Sequence, residues 1–217
     1  MYNIAIDGPA GAGKSTIAKI VAKKLDYIYV DTGAMYRTMA LACFRDGIKA
    51  LEEAKVVDKC KNVQVTLGYE NGTQKVYLNG EDVSSEIRQE AIGNMTSAIA
   101  VYPPVREILV KMQQDIASKN NVVMDGRDIG TAVLPNADLK IYLTASSRTR
   151  AERRYKELVE KGQQCDIDEI ENDIKDRDYR DMHREVSPLK QADDAVLVDS
   201  SDMDIDEVVD KIVSLVK

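Results

Sequence analysis

Near its amino terminus the chain runs from a short apolar segment, Asn3-Ile-Ala-Ile-Asp7, through Gly8-Pro-Ala-Gly-Ala-Gly-Lys-Ser-Thr16 and into the amphipathic stretch Ile17–Leu25. A strand, a GxxxxGK(S/T) loop and a helix in that order form a phosphate-binding P-loop in its required context. Gly8, Gly11 and Gly13 let the backbone bend so that its N–H groups turn inward to phosphate oxygens. Pro9, Ala10, Ala12 and Thr16 complete the loop. The helix that starts near Lys14 adds the positive end of its dipole. Lys14 supplies a mobile charge for the β- and γ-phosphates of a nucleotide, and the Ser15 hydroxyl is a Mg²⁺ ligand. The plainer reading is a glycine-rich turn before a helix. The complete pattern, placed directly after a strand, sets it aside. The loop does not say what the second substrate is.

A length of 217 residues suits one α/β domain with small insertions, and 44% apolar residues are enough for a sizeable core. The net charge of −7 argues against nucleic acid or an anionic membrane as the main partner. Clustered arginines are informative against that background. The three cysteines, Cys43, Cys60 and Cys165, are scattered. With no leader-like segment at the start, the expected compartment is a reducing cytoplasm. A single histidine, His183, and no CxxC pair leave nothing for a zinc site. No apolar run approaches membrane-spanning length.

Tyr27-Ile-Tyr-Val30 reads as a second strand, followed by Asp31-Thr32 with Thr32 as the expected helix cap. That helix should run through Phe44 until Gly47 stops it. Strand ends on an open parallel sheet are where ligands bind, so Thr32 and Arg37 one turn on are candidates. Residues 62–85 change character: Val63, Val65 and Leu67 alternate, as do Val76 and Leu78. Asn71-Gly72 and Asn79-Gly80 mark two turns of an antiparallel three-stranded insert. Helical patterns span 85–100 and 104–117, with Arg88 and Arg106 near their starts as ordinary solvated charges. Val122-Val-Met-Asp125 is a third core strand. Its terminal Asp125 resembles the acid that organises Mg²⁺ beside a P-loop. Arg127-Asp128 then sets a forked donor beside a carboxylate acceptor, unless the two only pair with each other.

Leu139–Leu143 is a fourth strand, and Ser146 or Ser147 caps a helix with Arg150, Arg153 and Arg154 on one face. After a break near residue 162, a helix from Asp168 towards Glu185 carries Arg177, Arg180, Asp181 and Arg184 along one side. In an acidic chain two such faces suggest polyanion binding. The alternative is solvated helices with local ion pairs through Glu152, Glu157, Asp178 and Asp181. Ala195–Asp199 is the fifth strand, and a last amphipathic helix buries Val208, Val209, Ile212, Val213 and Val216. The expected fold is therefore a P-loop NTPase-type α/β domain. It has a five-stranded parallel sheet flanked by helices, a small antiparallel three-stranded insert and a short lid. An enzyme moving a phosphoryl group between two small molecules should look like this, because such chemistry depends on positioning and positive charge.

Along nearly its whole length the chain resembles the bacterial cytidylate kinases. The match is carried by Ile6–Ser15, Asp31-Thr-Gly-Ala-Met-Tyr-Arg37, Gly80–Ser84 with Glu86-Ile-Arg88, Asp125-Gly-Arg-Asp-Ile-Gly130, and Arg177-Asp-Tyr-Arg-Asp181 with Arg184. The P-loop is common to many families. The DGRDxGT segment together with the insert is far more specific. The resemblance implies transfer of the ATP γ-phosphoryl group to CMP or dCMP, with Mg²⁺; a monomer is expected separately, because the surface helices read as charged with no spare apolar stripe. The resemblance also implies a core at 1–31 with the P-loop and a monophosphate-binding region at 32–102 that includes the insert 62–85. Core segments follow at 103–150 and 168–217, with a lid at 151–167 between them. It implies that Lys14, Arg127, Arg177 and Arg184 serve catalysis and that Arg153 and Arg154 join Gly8–Thr16 in binding ATP. Thr32, Arg37, Arg88, Arg106, Arg127, Asp128, Arg177, Asp181 and Arg184 would bind CMP.

Base reading agrees with this chemistry, since Asp128 can accept from the exocyclic amine of cytosine while Arg127 donates to ring acceptors. Family members often have Ser at position 32; Thr32 keeps the hydroxyl and adds a methyl. The lone His183, on a charged helix, is expected to be exposed and without a catalytic role. The alternatives are a kinase for UMP/CMP or another small acceptor, and a non-catalytic nucleotide switch. The sequence has neither an NKxD guanine-reading motif nor an LSGGQ signature.

Overall fold

The computed structural model describes residues 1–70 and 73–217. They form two compact units, one comprising 1–29 with 120–217 and the other 30–119.

The first unit is built on parallel strands. β1 (Asn3–Asp7) is flanked by β6 (Val122–Gly126) and β7 (Leu139–Thr144), and β7 pairs with β8 (Val196–Asp199). With β2 (Ile28–Asp31) the sheet order is β2-β6-β1-β7-β8. Strands covered on both faces should be apolar throughout rather than alternating. Ile4, Ala5, Ile6, Val122, Val123, Met124, Ile141 and Leu143 are accordingly buried. α1 (Lys14–Leu25) packs Ile17, Ala18 and Val21 into this core, and α8 (Ile205–Ser214) adds Val208, Val209 and Ile212. At roughly 1.5–3 kcal/mol for each fully buried aliphatic side chain, this packing dominates the unit's stability. α8 opens on a capping box: Asp204 accepts from the Glu207 N–H, and the Glu207 side chain accepts from the Asp204 N–H. α6 (Ser147–Glu160) is capped by Ser146, and α7 (Ile167–His183) by Asp166. α7 stops short of the expected Glu185. Arg184 is already extended, with its Nε donating to the Ser187 carbonyl at 2.7 Å.

The second unit joins helices to an antiparallel sheet. α2 (Thr32–Arg45) is capped by Asp31, whose carboxylate accepts from the Ala34 N–H at 2.9 Å. This corrects the expectation for Thr32, which is instead the first helical residue and is buried. Both have a cap-type oxygen, but only Asp31 has extended backbone. α2 ends at Arg45, just before Gly47. α3 (Glu53–Lys61) has no counterpart among the expected elements.

β3 (Val65–Glu70), β4 (Thr73–Leu78) and β5 (Glu81–Asp82) form the expected meander, with Val65 opposite Leu78 and Leu67 opposite Val76. Between β4 and β5, Asn79 (φ 51°) and Gly80 (φ 87°) both take the left-handed conformation of a two-residue hairpin turn. The other expected turn, Asn71-Gly72, lies outside the described residues. The expected helix at 85–100 is interrupted. A 3₁₀ turn (Glu86–Arg88) is followed by extended Gln89 and then α4 (Glu90–Ile99). Ile87 and Ile92 are five positions apart, off the helical repeat, and the break lets both be buried. α5 (Pro103–Lys119), expected at the start of a core segment, clusters with this unit.

One contact decides how the P-loop leaves β1. Gly8 has φ 149°, and a Cβ there would sit 1.9 Å from the Leu143 carbonyl oxygen of β7. Gly8→Ala should therefore cost more than about 3 kcal/mol, or prevent folding. Urea denaturation followed by circular dichroism measures the loss.

Candidate active site

The strand ends of the first unit gather the candidate residues. β1 ends in Asp7, β6 in Asp125-Gly126, and their registers align Ile6 with Asp125 and Asp7 with Gly126. Asp125 is buried and accepts from the Ser15 hydroxyl at 2.9 Å and the Tyr29 phenol at 2.8 Å. The Ser15 hydroxyl donates its proton to the carboxylate, so its lone pairs stay available to a cation. Among the described residues no three His, Cys, Asp or Glu side chains cluster as a metal site. Ser15 and Asp125 together present hard oxygen donors, the chemistry Mg²⁺ takes when phosphate oxygens and waters complete its shell.

Lys14 is buried and donates to the Pro9 carbonyl at 2.7 Å. Burial holds its ammonium pKa well below the usual lysine value, and the Arg127 charge pushes the same way. Asp125, Asp7 and Asp181 oppose them. A bound polyphosphate would reverse this balance, because anionic oxygens favour the charged amine. The P-loop apex is braced by an ion pair that the sequence places only loosely. Arg150 of α6 meets Asp178 of α7 at 2.7 Å and donates to the carbonyls of Ala10 at 2.7 Å and Ala145 at 2.9 Å. Asp178 accepts from the Ala10 N–H at 3.3 Å.

The Arg127-Asp128 pair does not close on itself. Arg127 donates through Nε to Asp181 of α7 at 2.8 Å, and Asp128 faces the Arg184 guanidinium at 3.5 Å. The extended backbone at Arg184 lets its side chain reach Asp128. Arg177 is exposed on α7. Arg153 donates to the Ser200 carbonyl at 2.6 Å, and exposed Arg154 pairs with Glu157 at 2.8 Å. His183 is exposed, as expected, and stacks on Tyr179 with ring centroids 4.0 Å apart.

In the second unit Thr32 is buried at the start of α2, and Arg37 lies one turn on, close to Gly33. Arg106 is buried against the Tyr36 ring, 5.5 Å from its centroid, and donates to the Ala100 carbonyl. Arg88 is exposed at the end of the 3₁₀ turn.

Two roles escaped the sequence reading: Tyr29 orients Asp125, and Asp7 anchors the segment after β6. Arg150 and Asp178, expected in polyanion binding or local ion pairs, instead pair with each other and secure Ala10. Asp7, at the end of β1, accepts from the Ile129 N–H at 2.8 Å and the Gly130 N–H at 2.7 Å. For Asp7 a signal existed: an ionisable residue closing a buried apolar strand needs partners. Its pKa is raised from 3.8 to about 6, first by burial and further by the Asp128 charge. The two backbone N–H groups and Lys14 pull the other way.

A P-loop on the central strand of a parallel sheet, with an acidic strand end beside it, places the chain among the P-loop kinases. The fold comparison agrees. A protein of uncharacterised function from Eubacterium ventriosum aligns with TM-score 0.55 at 12% identity, covering 99% of this chain and 97% of that one. A shikimate kinase from Bacteroides thetaiotaomicron aligns with TM-score 0.50 at 16% identity, covering 99% and 97%. At such identities the likeness speaks to fold alone. Sequence resolves the family. The cytidylate kinase family profile matches residues 4–217. A cytidylate kinase from Leuconostoc mesenteroides subsp. mesenteroides is 50% identical over 216 residues, covering 100% of this chain and 96% of its own. Those of Caldicellulosiruptor saccharolyticus and Bacillus cereus are each 50% identical, over 213 and 214 residues, with 98% and 99% of this chain and 94% and 95% of theirs covered. The chain belongs to the cytidylate kinase family and is a nucleoside monophosphate kinase.

Two outcomes follow from these contacts. Asp178→Ala leaves the Arg150 guanidinium buried without its carboxylate and should cost roughly 3–5 kcal/mol, part of it recovered in Asp178→Ala/Arg150→Met; urea midpoints measure both. For Asp7, the folded state holds its proton up to about pH 6 while the ordinary carboxyl loses it near 3.8. Its contribution to stability is thus fully present below the lower value and lost as pH rises through the upper one. Lys14, Asp128 and Tyr142 are the charged or titratable groups acting on it or feeling it. Wild type should therefore gain on Asp7→Asn as pH falls from neutral towards 4, read from urea midpoints at each pH.

Proposed function

We propose that the chain transfers the γ-phosphoryl group of ATP to CMP or dCMP, giving ADP and CDP or dCDP. The observation that supports the acceptor is the Arg127-Asp128 pair. Both side chains are anchored from α7 or the segment just after it rather than bonded to each other, so donor and acceptor functions stay separate. Asp128 accepts from the exocyclic amine of cytosine, and Arg127 donates to ring acceptors. Uracil would present a carbonyl oxygen to the carboxylate, an unpaired acceptor whose burial is unfavourable.

The reaction requires little covalent work from the protein. The attacking atom is a phosphate oxygen already ionised at neutral pH, so no general base is assigned. The backbone N–H groups of Gly8–Thr16 cradle the donor phosphates, and Lys14 follows the charge on the β- and γ-phosphoryl oxygens. Arg127, Arg177 and Arg184 bring positive charge to the transferring group and the acceptor phosphate. Ser15, with Asp125 behind it, would hold Mg²⁺, which when bound neutralises phosphate charge. Arg177 and Asp181 also serve the ribose, and Thr32, Arg37, Arg88 and Arg106 complete the acceptor contacts. Arg153 and Arg154 reach donor phosphates only by exchanging Ser200 and Glu157 for them. Residues 151–167 act as the lid that excludes water, which would otherwise compete as acceptor. A cytoplasmic monomer is the working form we assign.

ADP formation from Mg-ATP with CMP, dCMP, UMP, AMP or GMP offered separately tests this directly. Strong turnover with CMP and dCMP alone is expected. Equal turnover with UMP contradicts the base assignment, and no acceptor-dependent turnover contradicts the activity. Lys14→Ala should lower kcat at least about a hundredfold while the circular dichroism spectrum is kept. Asp128→Asn should narrow the preference for CMP over UMP.

A further inference from the structure

The segment that carries Asp128 is not an ordinary loop. It is a single π turn over Ile129–Val133, with the Asp128 carbonyl accepting from the Ala132 N–H at 2.9 Å and the Val133 N–H at 3.2 Å. A turn so short leaves its leading N–H groups without partners inside it. Asp7 takes two of them, one on each carboxylate oxygen, and both oxygens lie within 2.8 Å of the nitrogens they serve. The peptide group that follows the Asp128 α-carbon is therefore fixed at both ends, its carbonyl by the turn and its N–H by Asp7.

Gly130 shows how closely the carboxylate fits. A Cβ there would meet Lys140 Cδ at 3.1 Å and Asp7 Oδ2 at 3.4 Å. Lys140 cannot easily retreat, since its ammonium is held by the Pro135 carbonyl and by Asp194 at 2.9 Å. The turn is thus held between Asp7 on β1 and the Lys140 stem on β7.

We propose that Asp7 is a specificity-positioning residue: its carboxylate clamps the Ile129 and Gly130 N–H groups and so sets where the Asp128 carboxylate meets the acceptor base. The inference rests on the base-reading role proposed for Asp128. Asp7 would act through the turn, by way of the Ile129 and Gly130 N–H groups. It links the strand that launches the P-loop to the turn that reads the base, so one residue at the end of β1 serves both halves of the reaction.

The test is the ratio of kcat/KM for CMP to that for UMP. Both acceptors carry the same phosphate and use the same donor, so effects of a substitution on the P-loop, on ATP or on overall stability divide out. Asp7→Asn keeps one oxygen and turns an N–H donor towards the second backbone N–H. It should lower the ratio about five- to tenfold, the usual scale for one lost hydrogen bond, chiefly through KM for CMP. Gly130→Ala displaces the same turn from its other side and should lower the ratio too. It answers the question even if Asp7→Asn fails to fold. Asp128→Asn is the reference. If it lowers the ratio while Asp7→Asn or Gly130→Ala keeps the wild-type value, the positioning role is wrong and base reading stands. If Asp128→Asn leaves the ratio unchanged, base reading is wrong and the positioning role falls with it.

Discussion

The approach of Gly8 to Leu143 is the constraint on which the rest of the first unit depends. Because β1 lies between β6 and β7, its carboxyl end opens among other strand ends. Because position 8 has no side chain, the loop can turn at once over the β7 backbone. α1 then begins at Lys14 with its apolar face on the sheet. The same turn leaves Asp7 pointing at the segment after β6, and it brings Ser15 within 2.9 Å of Asp125. Apolar packing supplies the stability; this one close approach decides what the packed sheet presents at its edge.

Charge at that edge is handled by pairing across long sequence separations. A chain of net charge −7 buries or half-buries Lys14, Arg127, Arg150 and Arg184 around one P-loop. Each has an assigned oxygen: Pro9 for Lys14, Asp181 for Arg127, Asp178 for Arg150, and Ser187 with Asp128 for Arg184. Such pairs are poor sources of net stability, because desolvation offsets the attraction. They do fix guanidinium groups in position. Stabilising charge that is already oriented requires no reorganisation when the phosphoryl group moves.

Much of this was legible in the sequence. The P-loop, the five core strands, the Asn79-Gly80 turn and the amphipathic last helix all follow from local spacing and turn chemistry, and the structure keeps them. What was not legible depends on partners distant in the chain. Arg127 and Asp181 are 54 positions apart and Asp7 and Ile129 122 apart, so neither pair appears in any periodicity. Arg150, Arg153 and Arg154 share a helical face by spacing, yet tertiary contacts send Arg150 to Asp178 and Arg153 to Ser200, while Arg154 takes the local partner Glu157 that the spacing also allowed. Local reading failed where two elements compete. Asp31 rather than Thr32 caps α2 because backbone conformation, not side-chain type, decides the cap. The helix at 85–100 breaks at Gln89 because Ile87 and Ile92 must both be buried.

In the proposed reaction the turn after β6 reads cytosine through a fixed carboxylate. Calorimetric titration of CMP and of UMP into the wild-type protein, without ATP, isolates that recognition from catalysis. A dissociation constant for CMP at least about tenfold below that for UMP is the predicted result, the usual cost of a buried acceptor facing a carboxylate. Equal affinity for the two would contradict it.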